Sequence, residues 1–137
     1  MAASLSQIVQ VVQLFFKKQI TTDGTTTPSY IDIDSDEIKS LGPYLAGITL
    51  MTKTENRTAQ HNYKIVFWWS LDGRQWSASP VDLCTTISGS GDVIHTEFTD
   101  ATKLGIQIRL AIEVVNGSGG NVERAVSSAW LVLRFKN

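Results

Sequence analysis

The sequence predicts an all-β protein, an antiparallel β-sandwich of the jelly-roll kind. Its 137 residues suit one domain, residues 1–137. Apolar and polar side chains alternate through 106–115, so this segment is a strand with one apolar face. Further short strands recur along the chain with turns rich in glycine and asparagine between them. That spacing is typical of sandwiches and barrels.

The N-terminal segment, residues 1–20, permits two interpretations. Several apolar residues lie at helical spacing, and Ser4 and Gln7 stand as a capping box. Yet the segment is rich in valine and phenylalanine, which favour strands, so we predict a strand over 5–16 and keep a helix as the alternative. As an arm or swapped strand it could reach a neighbouring subunit, with Phe15 and Phe16 as candidate contacts.

Six further strands follow from the apolar patterning and the turn residues. They are predicted at 30–34, 48–54, 64–70, 81–87, 92–98 and 124–135. The last is apolar on both faces near 131–133, so we expect it to be central and to form a hairpin with 106–115. One short helical turn is expected near 35–41, ended by Gly42-Pro43.

Composition and charge exclude several classes of function. The net charge is -1, and lysine and arginine are scattered, so we expect no nucleic-acid partner. The longest apolar runs fall far short of the roughly 20 residues that a membrane helix needs, so we expect no membrane partner. No positive region precedes the apolar N-terminal stretch, which makes a secretion signal a poor interpretation.

The residues that usually carry enzyme chemistry are few. The sequence contains two histidines, His61 and His95, and one cysteine, Cys84, without a recognisable catalytic motif. We expect Cys84 to be a small core residue, and a Cys84–His95 dyad stays open as the alternative. We therefore predict no catalytic residue, no cofactor and no enzymatic activity.

An acidic repeat is the one candidate for a metal site. Asp32, Asp34 and Asp36 form a D-x-D-x-D pattern, but an EF-hand loop also needs glycine at its sixth position and glutamate at its twelfth. Those positions hold Glu37 and Pro43. We predict no metal site, with a looser calcium site at a strand end as the open alternative.

The stretch "YKIVFWWSLDGRQWS", residues 63–77, contains three of the four tryptophans. Asp72-Gly73 between two β-rich runs predicts a hairpin. A two-residue loop places Trp69 opposite Trp76 in the core, whereas a three-residue loop with a bulge at Gly73 makes Trp68 and Trp76 an outer aromatic pair. In both cases the core face is expected to carry Ile65, Phe67 and Trp69. Trp68 and Trp76 are therefore candidate interaction residues.

This hairpin also carries a family resemblance. Tyr63-Lys64-Ile65, then Ser70-Leu71-Asp72-Gly73, then Trp76 resembles a hairpin of discoidin-like (F5/8 type C-like) jelly-roll modules. A similar hairpin occurs in tail and head proteins of phages. The resemblance covers residues 63–77, and the paired cysteines of many discoidin domains are absent. It implies a β-sandwich, and glycan binding in which Trp68 or Trp76 would take part.

Two functions from different classes follow. The first is a non-enzymatic structural subunit of a large assembly: a phage virion protein that decorates or cements a capsid or belongs to a tail or baseplate. Its partners would be copies of itself and other subunits, and it would assemble in the host cytoplasm. This prediction rests on analogy at the level of fold. The alternative is a discoidin-like carbohydrate-binding module with a glycan partner.

Overall fold

A computed structural model describes residues 9–21, 29–33, 36–55, 61–87, 93–98, 103–104, 107–116 and 124–136. Its strands are β1 (Val9–Thr21), β2 (Ser29–Asp32), β3 (Leu45–Glu55), β4 (His61–Ser70), β5 (Val81–Asp82), β6 (Val93–Phe98), β7 (Gln107–Asn116) and β8 (Arg124–Phe135). The predicted all-β sandwich is confirmed. Turns are predicted at 21–28, 55–62, 88–91 and 116–121, and most of their residues lie outside the described part of the chain.

The strands form two four-stranded antiparallel sheets, with the orders β1-β8-β3-β6 and β2-β7-β4-β5. In chain order, β1 pairs with β8, β2 with β7, β3 with β6 and β4 with β5. The chain is thus a long antiparallel ribbon that turns between β4 and β5. Rolling this ribbon brings β8 beside β3 and β7 beside β4, which gives the jelly-roll arrangement.

The predicted hairpin of the last two strands is wrong. β7 pairs with β2 and β4, whereas β8 pairs with β1 and β3 in the other sheet. Alternation along a strand shows which face is apolar but does not reveal the partner strand, and the connection here crosses between sheets. The expectation that β8 is central is confirmed, since it has a neighbour on each side.

The core lies between the inner faces of the two sheets. One sheet contributes alternate residues of β4 and β7, and the other contributes alternate residues of β3 and β8. Among the fully buried side chains are Ile65, Phe67, Ile108, Leu110, Ile112, Ile48, Leu50, Leu131 and Leu133. Cys84 is buried among them, as predicted, and burial raises the pKa of its thiol.

Polar contacts cross this core at Tyr63. The hydroxyl group of Tyr63 on β4 is hydrogen-bonded to Thr54 on β3 and Ser127 on β8. Tyr63 is fully buried, so its hydroxyl needs such partners. Ser127 also donates a hydrogen bond to the carbonyl of Lys53. These contacts tie the two sheets together at one end of the sandwich.

Two elements differ in detail from the sequence prediction. The segment 81–87 is regular only at Val81–Asp82, although Leu83 and Ile87 still hydrogen-bond to the β4 backbone. Where a helical turn is expected near 35–41, residues 36–40 form a hydrogen-bonded turn, and a 3-10 turn follows it at Gly42–Tyr44, so Gly42-Pro43 also begins a helical turn. A proline near a helix start is favourable because its φ angle is already set.

Candidate functional site

The length of the hairpin loop after β4 decides on which face of the sheet Trp76 lies. Ser70 pairs with Trp76 through an isolated antiparallel bridge, so five residues separate the paired positions, rather than two or three. Trp76 therefore lies on the same face of the sheet as Ser70 and Trp68, opposite to the core face. Of the two alternatives in the sequence, the structure supports the outer aromatic pair.

Asp72 organises this loop. Its carboxylate accepts hydrogen bonds from the backbone N–H groups of Arg74 and Gln75, each at 2.8 Å, and from the Ser70 hydroxyl at 3.2 Å. These N–H donors lower the pKa of the Asp72 carboxyl group below its ordinary value. Gly73 has a φ of 77°, which favours glycine. The Asp-Gly pair thus fixes the turn that positions Trp76.

Four side chains then form an aromatic cluster on the outer face of the β2-β7-β4-β5 sheet: Tyr30, Trp68, Trp76 and Arg109. The guanidinium carbon of Arg109 lies 5.1 Å from the Trp68 ring centroid and 5.0 Å from that of Trp76. Tyr30 packs edge-on against Trp68, with ring centroids 5.0 Å apart. Arg109 is the direct cross-strand partner of Trp68, and its charge interacts favourably with both indole faces.

The aromatic cluster also covers the sheet beneath it. Val66 and Ala111 lie on the outer face, opposite each other in the β4–β7 register, yet both are fully buried. Trp68 and Tyr30 are their neighbours on that face. Part of the cluster is therefore structural, because the rings remove two small apolar residues from water.

Trp76 lines two clefts. One has a volume of about 360 Å³ and is otherwise lined by Trp69, Leu71, Asp72, Gln75 and Ser77. The other has a volume of about 380 Å³ and contains Asp32, Asp36, Lys39, Gln107 and Arg109 among its lining residues. Each cleft combines an indole surface with carboxylate and amide groups, which is chemistry able to hold a polar ligand with an apolar face.

An ion cluster lies on the same sheet face. The Lys64 ammonium is 3.0 Å from a carboxylate oxygen of Asp82 and 3.4 Å from one of Glu113. The hydrogen bond to Asp82 is the largest cause of the raised pKa of Lys64. Glu113 is buried, whereas the Asp82 side chain is 56% exposed. Lys64 thus neutralises a buried carboxylate on this face.

A second candidate surface is the β1 edge, which we define as Val9, Val11, Phe16 and Lys17. In the described residues β1 pairs with a strand on one side only. Val11 is 62% exposed and Phe16 is 61% exposed. Long exposed apolar edge strands readily associate with other chains. The strand predicted over 5–16 is confirmed from Val9 onward, and residues 1–8 lie outside the described part of the chain.

A bulge places Phe16 outward. The register of β1 against β8 shifts between Gln13 and Phe15 and again between Phe15 and Lys18. Lys17 has a φ of 48°, and its backbone N–H donates to the Ser128 hydroxyl at 2.9 Å. The Lys17 ammonium lies 5.6 Å from the Phe16 ring centroid. A non-glycine residue at positive φ is unusual, and such bulges re-aim side chains.

Phe15 points the other way. Its side chain is half-buried and packs against the core, so the two neighbouring phenylalanines have different surroundings. Phe15 also lines a cleft of about 250 Å³ between β1 and β2, together with Leu14, Lys18, Asp32 and Ile33. The lining of this cleft thus combines three apolar side chains with one positive and one negative side chain.

The described residues contain no candidate metal site. No group of three or more histidine, cysteine, aspartate or glutamate side chains there could hold a metal ion. Asp34 of the acidic repeat and the side chains of His61 and His95 lie outside the described part. In the same part of the chain, no helix is long and apolar enough to span a membrane.

The sequence matches no protein-family model and no curated protein. The fold is similar to solved structures of infectious bursal disease virus. The structure of the Gx strain matches with a TM-score of 0.71 and 12% identity, over 98% of this chain and 34% of that chain. The VP2 subviral particle matches with a TM-score of 0.63 and 11% identity, over 98% and 33%. The chain thus spans about a third of those chains, and the likeness is one of fold.

The sequence singled out Trp68, Trp76, Phe15 and Phe16 as candidate interaction residues, and it contained no signal for Arg109 and Tyr30. Both lie at alternating positions on the polar faces of their strands. Their proximity to Trp68 depends on β7 lying between β2 and β4, and no local signal gives that order.

Proposed function

We propose that this chain is a non-enzymatic structural subunit of a virus particle, in contact with copies of itself and with other subunits. The observation that carries the proposal is the jelly-roll fold, which is similar over 98% of the chain to a chain of a subviral particle. Jelly rolls are a common architecture of viral shells.

The exposed apolar β1 edge supports a role in assembly. Val9, Val11 and Phe16 are each more than half exposed on one strand. The neighbouring β8 places Val132 beside Val11 and Trp130 beside Gln13 on the same outer face, where both are partly exposed. Apolar surface of this kind is covered in protein–protein interfaces.

The finer assignment remains our proposal from the sequence. We place the protein in a phage virion, as a capsid decoration or cement subunit or as a tail or baseplate component, assembled in the host cytoplasm. The similar structures come from infectious bursal disease virus. They support a role in a virus particle, but they do not favour a phage over another virus. The role of residues 1–20 as an arm stays a prediction as well.

Size-exclusion chromatography with light scattering, followed by negative-stain electron microscopy, tests the proposal. We expect defined oligomers or particles whose population rises with protein concentration. A strict monomer at high concentration, with no enrichment in particles of its source, would contradict it.

The second candidate function is glycan binding, which the two clefts at Trp76 favour. A sugar ring could lie on the exposed part of the indole while Asp36, Lys39 or Gln107 bind its hydroxyl groups. We expect Trp76→Ala to abolish a signal on a glycan array that Trp130→Ala, on the other sheet, leaves intact. An array without any signal for the unchanged protein counts against this function.

A further inference from the structure

Phe16 lies next in sequence to the β1 residues that line the cleft between β1 and β2. Leu14, Phe15 and Lys18 line the cleft, and Phe16 between them in the sequence is 61% exposed. An exposed aromatic side chain and a recess of mixed apolar and charged lining therefore lie next to each other along one strand. Two-fold symmetric interfaces need such self-complementary surfaces, in which each copy offers both the knob and the hole.

We propose that two copies of this chain associate through β1, with Phe16 of each copy inserted into the β1–β2 cleft of the other. This inference rests on the proposed function and names the contact by which copies would meet. The bulge interrupts regular strand pairing at this position, so side chains rather than a backbone ladder make the contact.

The size of the cleft fits one phenyl ring. Its volume is about 250 Å³, and an enclosed apolar cavity of roughly 150 Å³ is enough to bind benzene. Leu14, Phe15 and Ile33 would surround the incoming ring. Burying a phenylalanine side chain stabilises an interface, and aromatic residues are frequent among the residues that dominate binding.

The charges are complementary as well. Lys17 follows Phe16 directly, and Asp32 is one of the residues that line the cleft that Phe16 would enter. Among the described residues no ion pair involves Lys17 or Asp32. When Phe16 of one copy enters the cleft, Lys17 of that copy would approach Asp32 of the other, and symmetry produces this pair twice.

Charge reversal tests whether the contact is between copies. Lys17→Asp alone brings two carboxylates together at each pair, and Asp32→Lys alone brings two ammonium groups together. Each variant should associate at least about tenfold more weakly than the unchanged protein. Aspartate tolerates the positive φ at position 17, so folding should persist. Mixing the two variants pairs aspartate with lysine at both sites, and native mass spectrometry should detect 1:1 heterodimers.

Two further variants complete the design. Phe16→Ala should weaken association by about tenfold or more, whereas Lys136→Asp, an equal charge change at an exposed residue outside β1 and the cleft, should not. Wild-type association with no heterodimers in the mixture, or with Phe16→Ala unaffected, overturns the inference and leaves the proposed function standing. A wild-type protein that stays strictly monomeric contradicts both.

Discussion

The hydroxyl oxygen of Tyr63 on β4 lies 2.5 Å from the Ser127 hydroxyl oxygen on β8, across the interior between the two sheets. Both residues are buried, and Thr54 provides a further partner for the tyrosine. The contact fixes one sheet relative to the other, which hydrophobic packing alone does less specifically.

Tyr63→Phe should lower the free energy of unfolding by about 1–2 kcal/mol, because it leaves two buried hydroxyl groups short of a partner. Urea denaturation followed by circular dichroism measures this loss. Tyr44→Phe is the matched control, since Tyr44 is 63% exposed and should tolerate the change. Equal stability of Tyr63→Phe and the unchanged protein would show that the cross-sheet contact contributes little.

Lys64→Met should destabilise the fold by about 2 kcal/mol, between the values for exposed and buried ion pairs. It removes the ammonium group beside Glu113, whose side chain is only 11% exposed. Adding Glu113→Gln to Lys64→Met should recover part of the loss, because the unpaired charge is then removed. Asp82→Asn, at a carboxylate that is 56% exposed, should cost less than Lys64→Met in the same denaturation assay. A larger loss of stability for Asp82→Asn than for Lys64→Met would contradict this account.

Asp72 should make stability depend on acidic pH. Its pKa is lowered in the folded protein by the N–H groups of Gln75 and Arg74. Its contribution is therefore present above the unfolded pKa of about 3.9 and is lost as the pH falls through the folded pKa. Thermal melts of the wild type and of Asp72→Asn, which cannot titrate, should diverge above that pH and converge below it. A stability difference that is the same across this range would refute the prediction.

Arg109→Ala should expose both outer tryptophans. The guanidinium group contacts the Trp68 and Trp76 rings, so its loss should shift tryptophan emission to longer wavelength and cost about 1 kcal/mol of stability. Arg109→Lys keeps the charge but loses the planar group, and it should give an intermediate shift. Emission spectra identical to that of the unchanged protein would show that the rings do not depend on Arg109.

The sequence identified most strands because alternation is a local property. It also placed Ile65, Phe67 and Trp69 on the core face and Trp68 outside, and the structure confirms both. It failed where distant segments decide the answer. β7 and β8 follow each other but belong to opposite sheets, and Arg109 meets the tryptophans only because β7 lies beside β4. The loop length at Asp72 was also missed, since the carboxylate cap holds a wider turn than an Asp-Gly pair usually makes.

The pairing of β1 with β8 bears on how the protein is made. Lys17 and Ser128, joined by a hydrogen bond, are 111 positions apart along the chain. The hydrogen bonds between β1 and β8 can form only after these distant segments have met. Folds with many contacts between distant segments fold slowly. While a ribosome is still synthesising β8, the first strand has no partner to cover it. We therefore expect the nascent chain to need protection from premature association until translation has passed Phe135.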